Sequence, residues 1–324
     1  MVRLIFWGTP QFAVPSLVHF IEDPAFEVLG VVTQPDRRRG RGKQLSPSPV
    51  KAMALQYNLP VWQPLSVKKD REVQEVLRSQ QADAFVVVAY GQILSPEILA
   101  MPRLGCVNSH GSLLPAYRGA APIQWALYDG QQTTGLTTML MDAGMDTGAM
   151  LLKEEVAIDS LENAHDLAER LSHLSGNLLS QTLLKLEKQA IEPIPQDEHQ
   201  ATYARLIQKE DYALDWSKSA AALHNQIRGF FPSCIAHFRG QPLKILATIL
   251  RDQGENSIAL DPALASPSPP GTIVGIAKNE GPLLQTGQGY LQLQEVLLSG
   301  KKRQSGRDFS NGLRLSIGER LENG

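Results

Sequence analysis

The sequence predicts an α/β protein in two parts: a Rossmann-like, mostly parallel sheet with helices on both faces, followed by a small C-terminal β-barrel of OB-like form. Three observations carry this. Up to about residue 189 short apolar runs alternate with longer amphipathic ones, the pattern of strand–helix–strand units. The run Phe85-Val86-Val87-Val88 is continuously apolar, as a parallel strand covered on both faces requires. Beyond residue 205 strand-like runs follow one another closely, separated by glycine and proline, which is the spacing of a small barrel.

In chain order, strands are expected at 2–7, 27–33, 84–89, 104–109 and 135–141, and helices near 12–22, 48–57 and 68–80 lie between the first four. A long helix is expected from 161 to 189. Its Leu167, Leu171, Leu174 and Leu178 recur every three to four residues. Ser160 stands where a capping side chain belongs, and Glu162 falls in the first turn, where a negative charge favours the helix dipole. The stretch 190–207 opens with Pro193, Pro195 and many polar residues without a period, and reads as a linker. Strands follow at 234–239, 243–251, 272–277, 282–286 and 290–298, with a Ser/Pro-rich surface loop at 265–270. The expected organisation is a first domain over 1–189, a linker over 190–207 and a barrel domain over 208–324.

Of the 324 residues, 43% are hydrophobic and 20% charged, enough to build cores without disulfide staples. Cys106 and Cys234 are too few and too distant for a metal pattern or a secreted framework, so a reducing, cytoplasmic setting is expected and no metal. The opening apolar run Val2 to Trp7, broken by Arg3, reads as a strand and not as a signal or membrane segment. A net charge of −2 argues by itself against a nucleic-acid partner, but charge is unevenly placed. Residues 1–204 carry 17 basic and 22 acidic side chains, residues 205–321 carry 14 and 10, and one basic run, Arg37, Arg38, Arg39, Arg41 and Lys43, stands in the acidic part. That is a local electrostatic footprint. Its plain reading is a solvated turn; against that, Gly40 and Gly42 give a tip able to follow a nucleic-acid surface, and arginine forks suit phosphates and base edges.

The densest polar information is Asn108-Ser109-His110-Gly111, where a parallel strand ends. Open α/β sheets place ligands beyond strand carboxyl ends. Asn108 and His110 are two apart and share one face of an extended chain. An imidazole that moves a proton beside a carboxamide that donates to an oxyanion suits acyl transfer. The plainer alternative, a histidine capping the strand and an asparagine bonded in a turn, remains open on these residues alone. Met141-Asp142-Ala143-Gly144-Met145-Asp146-Thr147-Gly148 follows another apolar strand and presents Asp146 between two glycines, either as a carboxylate for His110 or as part of a hairpin turn. Asp142, nearer the strand, fits the turn better.

Together these segments resemble the formyltransferases that use 10-formyltetrahydrofolate. The resemblance implies Asn108, His110 and Asp146 as the catalytic set, and it places Ser112, Leu113, Leu114 and Pro115, continuing into Arg118 to Ile123, against the folate. It extends over nearly the whole chain, through Phe6 to Ala13, Gln34 to Lys51, Trp216 and Ser299 to Lys302, and narrows to the branch acting on methionyl initiator tRNA. The basic loop, with Arg41 at its key position, then implies tRNA binding through Arg38, Arg39, Arg41 and Lys43, with Lys209 and Arg303 extending the footprint in the second domain, and Arg228, Lys244, Lys301 and Lys302 as further candidates. No metal and no membrane are implied, and a monomer is expected. Competing readings are a formyltransferase for a small amine, a folate hydrolase of the same fold, and a non-catalytic RNA-binding module.

Overall fold

Seven strands of the first part form one sheet in the structure, a computed structural model that describes residues 1–39, 44–251, 268–276 and 279–324. Two compact units divide the chain: residues 1–122, 134–156 and 168–204 form one, residues 123–133, 157–167 and 205–324 the other. The strands of the first part are β1 (Val2–Gly8), β2 (Phe26–Val32), β3 (Arg37–Arg39), β4 (Gln44–Ser46), β5 (Val61–Trp62), β6 (Ala84–Val88), β7 (Cys106–His110), β8 (Arg118–Gly119), β9 (Thr133–Leu140), β10 (Met150–Ala157) and β11 (Tyr203–Ala204). The sheet runs β10-β9-β7-β6-β1-β2-β5, with β8 pairing β11 and β3 pairing β4 beside it. From β5 to β7 all neighbours are parallel, and the direction reverses between β7 and β9.

Period-two alternation explains why the central strands read as unbroken apolar runs. Leu4 and Phe6 of β1, with Val86 and Val88 of β6, enter one core with Leu17, Phe20, Leu179 and Leu183. Ile5 and Trp7, with Phe85 and Val87, enter the opposite core with Leu77, Ile98 and Cys106. Each such burial contributes about 1.5–3 kcal/mol. The helices covering these faces are α1 (Val14–Glu22), α2 (Pro49–Gln56), α3 (Arg71–Ser79) and the short α4 (Pro96–Leu99). Ser48 and Asp70 cap α2 and α3 by accepting from the backbone N–H groups of Lys51 and Val73, and Pro49 takes the first turn of α2, where its missing N–H costs nothing.

The long helix, α6, spans Ala164–Glu187 and starts later than expected. Ser160 does not cap it: Asn163 does, its side-chain oxygen accepting from the N–H groups of His165 and Asp166. Glu162 therefore precedes the helix, and Asp166 holds the acidic first-turn position. Within the stretch expected as a linker, Ile194 exchanges backbone hydrogen bonds with Met150, and Tyr203–Ala204 pairs with β8.

In the second unit, α5 (Pro122–Tyr128) and α7 (Ala220–Gly229) accompany an antiparallel sheet of β12 (Ile235–Phe238), β13 (Gln241–Arg251), β14 (Ile273–Ile276), β15 (Pro282–Gln285), β16 (Tyr290–Leu298), β17 (Gln304–Ser305) and β18 (Leu321–Glu322), closed off by α8 (Gly306–Leu313). The sheet follows β14-β15-β16-β13-β12-β18 and curls as a half-barrel around Trp216, Leu223, Ile227, Phe230, Phe238, Ile245, Leu293 and Phe309. Trp216 is buried, as its reading as a core residue requires. Among the described residues no helix is long and apolar enough to cross a membrane.

Candidate active site

Strand β7 puts Asn108 and His110 at its carboxyl end, between parallel β6 and antiparallel β9. Asn108 lies opposite Val87 on one side and Met139 on the other, and His110 opposite Thr137. The intervening Ser109 points the other way and accepts from the Ser175 hydroxyl in the core at 2.8 Å. His110 is 6% exposed, so its ring is held and largely dry. Its Nε2 is 2.9 Å from the Tyr117 carbonyl oxygen. A carbonyl can only accept, so Nε2 carries a proton and Nδ1 is left as the exchangeable position. That nitrogen faces Asp146 Oδ2 at 3.7 Å, next to it but beyond hydrogen-bond length.

Asp146 reaches this place on a tight loop after β9. Its φ is +55°, a left-handed conformation that side chains other than glycine seldom adopt. The carboxylate accepts the Gly119 N–H at 2.8 Å. At Gly148 only the absence of a side chain lets the loop close, because a Cβ there would stand 1.7 Å from the Leu140 carbonyl oxygen. Asp142 behaves as the turn residue it resembles: its Oδ1 accepts from the Gly144 N–H at 3.0 Å and the Thr147 hydroxyl at 2.7 Å.

Ser112 to Pro115 follow His110 directly. The Ser112 hydroxyl donates to the Ala116 carbonyl at 2.6 Å, Leu114 is buried with its N–H on the Thr137 hydroxyl, and Lys153 donates to the Leu114 carbonyl. The Leu114–Pro115 peptide is cis. Leu113 and Pro115 are half-buried, and these two are the side chains of the segment that retain accessible surface for a ligand beside His110.

A crevice of about 300 Å³ opens at the carboxyl ends of β1, β2 and β6, lined by Thr9, Pro10, Gln34, Pro35, Tyr90 and Gly91 among others. This is where the strand order reverses, since β6 returns to the far side of β1 from β2, and such switch points are where open sheets bind ligands. The Thr9 hydroxyl and the Gln34 amide both donate to the Tyr90 carbonyl, tying the three strand ends together. The signal for this crevice is the strand order, which no local sequence pattern carries.

The described part of the basic run, β3, pairs antiparallel with β4, with Arg37 opposite Ser46, Arg38 opposite Leu45 and Arg39 opposite Gln44. Its base is fixed: Lys51 donates to Asp36 and to Gln63, both at 2.7 Å, and Gln63 donates to Asp36 at 2.8 Å and to the Gln34 carbonyl. The hydrogen bonds from Lys51 and then Gln63 hold the Asp36 carboxyl below its ordinary value. Arg38 is exposed, while Arg41, Lys43 and the side chain of Arg39 lie outside the described residues. In the other unit Lys209 and Arg303 are exposed, Arg303 being ion-paired with Glu295. Arg228 is buried, bonded to Asn225 and the Asp159 carbonyl, and so cannot serve as the surface contact considered for it. Burial pushes the Cys106 and Cys234 thiols up to about 12. Among the described residues no group of three His, Cys, Asp or Glu side chains is placed to hold a metal.

Comparison with known proteins agrees with this architecture. The family model described as formyl transferase matches residues 2–183, and that of the formyl transferase C-terminal domain matches residues 206–314. A methionyl-tRNA formyltransferase of Cyanothece sp. is 58% identical over 99% of this chain and 99% of its own length. One of Trichormus variabilis is 58% identical with both chains fully covered. Among solved structures, the sugar 3N-formyl transferase WlaRD has a TM-score of 0.66 at 18% identity, covering 93% of this chain and 99% of its own. HypX of Aquifex aeolicus in complex with tetrahydrofolic acid has 0.58 at 12%, covering 98% of this chain and 48% of its own. At such identities the structural likeness speaks to the fold.

Proposed function

The chain belongs to the formyl transferase family, and from that premise we propose that it transfers the formyl group of 10-formyltetrahydrofolate to the amine of methionyl initiator tRNA. The observation that supports this reading is Asp146 3.7 Å from His110 Nδ1, with Asn108 two residues before His110 on the same strand, in a chain more than half identical over its full length to methionyl-tRNA formyltransferases.

The chemistry moves an acyl group between two nitrogens. The neutral methionyl amine attacks the formyl carbon, and a tetrahedral intermediate forms with negative charge on oxygen. The half-buried Asn108 carboxamide donates to that oxygen, and the imidazole of His110 adds a second donor once its Nδ1 has taken the amine proton. As the bond to the folate nitrogen breaks, that nitrogen takes up one proton, and the amine gives up one. His110 Nδ1, beside the Asp146 carboxylate, is the group placed to hold the proton in between. The nearly dry surroundings of His110 strengthen each of these interactions. The formyl group arrives already activated on its carrier. Residues 1–189 then act as the catalytic domain, with Ser112 to Pro115 beside the folate, and residues 208–324 as a tRNA-binding domain joined by 190–207, in a cytoplasmic monomer.

One assay tests the substrate assignment: purified protein, labelled formyl-folate, and charged initiator or elongator tRNA. Label is expected on initiator methionyl-tRNA at least tenfold faster than on elongator. Formate release at the same rate without an acceptor contradicts the transferase in favour of the hydrolase, and tRNA binding without folate turnover favours the RNA-binding module.

The basic run adds a separate expectation. Arg41→Ala is expected to weaken use of initiator tRNA while leaving formyl-folate binding intact, and to lower the slope of affinity against salt by about one phosphate contact. Filter binding across salt concentrations checks it; an unchanged slope removes Arg41 from the interface.

A further inference from the structure

Gln196 sits in a stretch without sequence periodicity, yet both ends of its amide are engaged. Its Nε2 donates to the carbonyl oxygens of Asp146 and Gly148, each at 2.8 Å. Its Oε1 accepts from Arg118 Nε at 2.9 Å. A guanidinium only donates, so it fixes which end of the amide faces it and leaves the two N–H groups for the loop. Arg118 is itself fully buried, and its two terminal nitrogens bond Glu198 in a bidentate pair at 2.9 Å each. One residue on, the Gly119 N–H takes the Asp146 carboxylate at 2.8 Å. Asp146 is therefore held from two directions, by its main-chain carbonyl through Gln196 and by its side chain through β8.

This clamp explains how Asp146 keeps its left-handed backbone. A residue other than glycine holds φ near +55° only where its surroundings over-determine it. Without the Gln196 bonds the loop carbonyls of Asp146 and Gly148 lose the partners that Gln196 supplies, and the Gly119 N–H alone is left to hold the carboxylate beside Nδ1 of His110.

We propose that Gln196 is a positioning residue for formyl transfer, setting the Asp146 carboxylate beside His110 through the chain Glu198–Arg118–Gln196. It touches no reacting atom. The proposal rests on the catalytic reading of Asp146, and the experiment separates the two.

Gln196→Met keeps the side-chain length and removes donor and acceptor. Gln196→Glu keeps an oxygen for Arg118 but sets another oxygen against the two loop carbonyls, so it isolates the loop side of the clamp and serves where the methionine variant fails to fold. In each, kcat is expected to fall about 10- to 100-fold, with KM for formyl-folate and for methionyl-tRNA within about threefold of the parent. In an Asp146→Ala background the same substitutions are expected to add less than about a twofold loss, since Gln196 acts through a carboxylate no longer there. An unchanged kcat with Asp146→Ala impaired overturns the proposal alone, as does a loss of equal size in the Asp146→Ala background. Normal turnover in Asp146→Ala itself overturns the catalytic reading and the positioning role with it.

Discussion

A His110→Ala variant is expected to turn over about 10²–10⁴-fold more slowly than the parent while folding cooperatively. The imidazole has Nε2 on the Tyr117 carbonyl, and its Nδ1 faces the Asp146 carboxylate across 3.7 Å, where it can take and return the transferred proton. The ring makes one hydrogen bond to the backbone, at Tyr117, so its removal costs the fold little more than that bond, about 0.5–1.5 kcal/mol, and a small cavity. The loss should appear in kcat and in kcat/KM alike, the mark of an interaction made in the transition state. Thermal melting beside steady-state kinetics separates the two effects, and a kcat near the parent value removes His110 from the mechanism.

Gly148→Ala is expected to damage both stability and turnover, although residue 148 touches no substrate in this account. Its Cβ would lie 1.7 Å from the Leu140 carbonyl oxygen and 2.8 Å from the Leu140 carbonyl carbon. Both are backbone atoms of β9, next to the bond from the Leu140 N–H to the Ala149 carbonyl. The strand cannot yield without breaking pairing, so the loop must move. Overpacking of this kind costs about 1–3 kcal/mol. The displaced loop carries Asp146, and a shift of the order of 1 Å at such a group costs about 100-fold in rate. Kinetics below the variant's melting temperature distinguish this from simple unfolding. Parent-like turnover would show that the loop's tight closure is not what places Asp146.

Much of the scaffold is legible because its signals are local. The apolar runs of β1, β6 and β7 and the leucine spacing of α6 each follow from neighbours in sequence. Strands β5, β8 and β11 escape that reading because each is a two-residue bridge whose partner lies far along the chain. Strand β10 escapes because it faces solvent on alternate residues and carries Lys153, Glu154 and Glu155 in a row. The start of α6 lies three residues later than the sequence predicts because Ser160 and Asn163 are equally good capping types, and only the hydrogen bonds of Asn163 decide between them.

The site divides the same way. Asn108 and His110 are visible from a two-residue spacing at a strand end. That Asp146 stands opposite His110 depends on the antiparallel pairing of β7 with β9, which brings together segments far apart in the sequence. Gln196 and Glu198 have no local signature at all, since their roles exist only against Arg118 and the Asp146 loop. The crevice at Thr9, Gln34 and Tyr90 depends on strand order.

The most direct measurement is the single-turnover rate of formyl transfer to charged initiator tRNA, with all substrates saturating, for Asn108→Ala, His110→Ala, Asp146→Ala and the His110/Asp146 double variant. Each single variant should lose about 100-fold or more, and the double variant should be little slower than its worse parent, because groups that act as one unit do not lose rate additively. A folded variant at any of the three positions that transfers the formyl group within about threefold of the parent rate would contradict the shared role of that amide, imidazole and carboxylate.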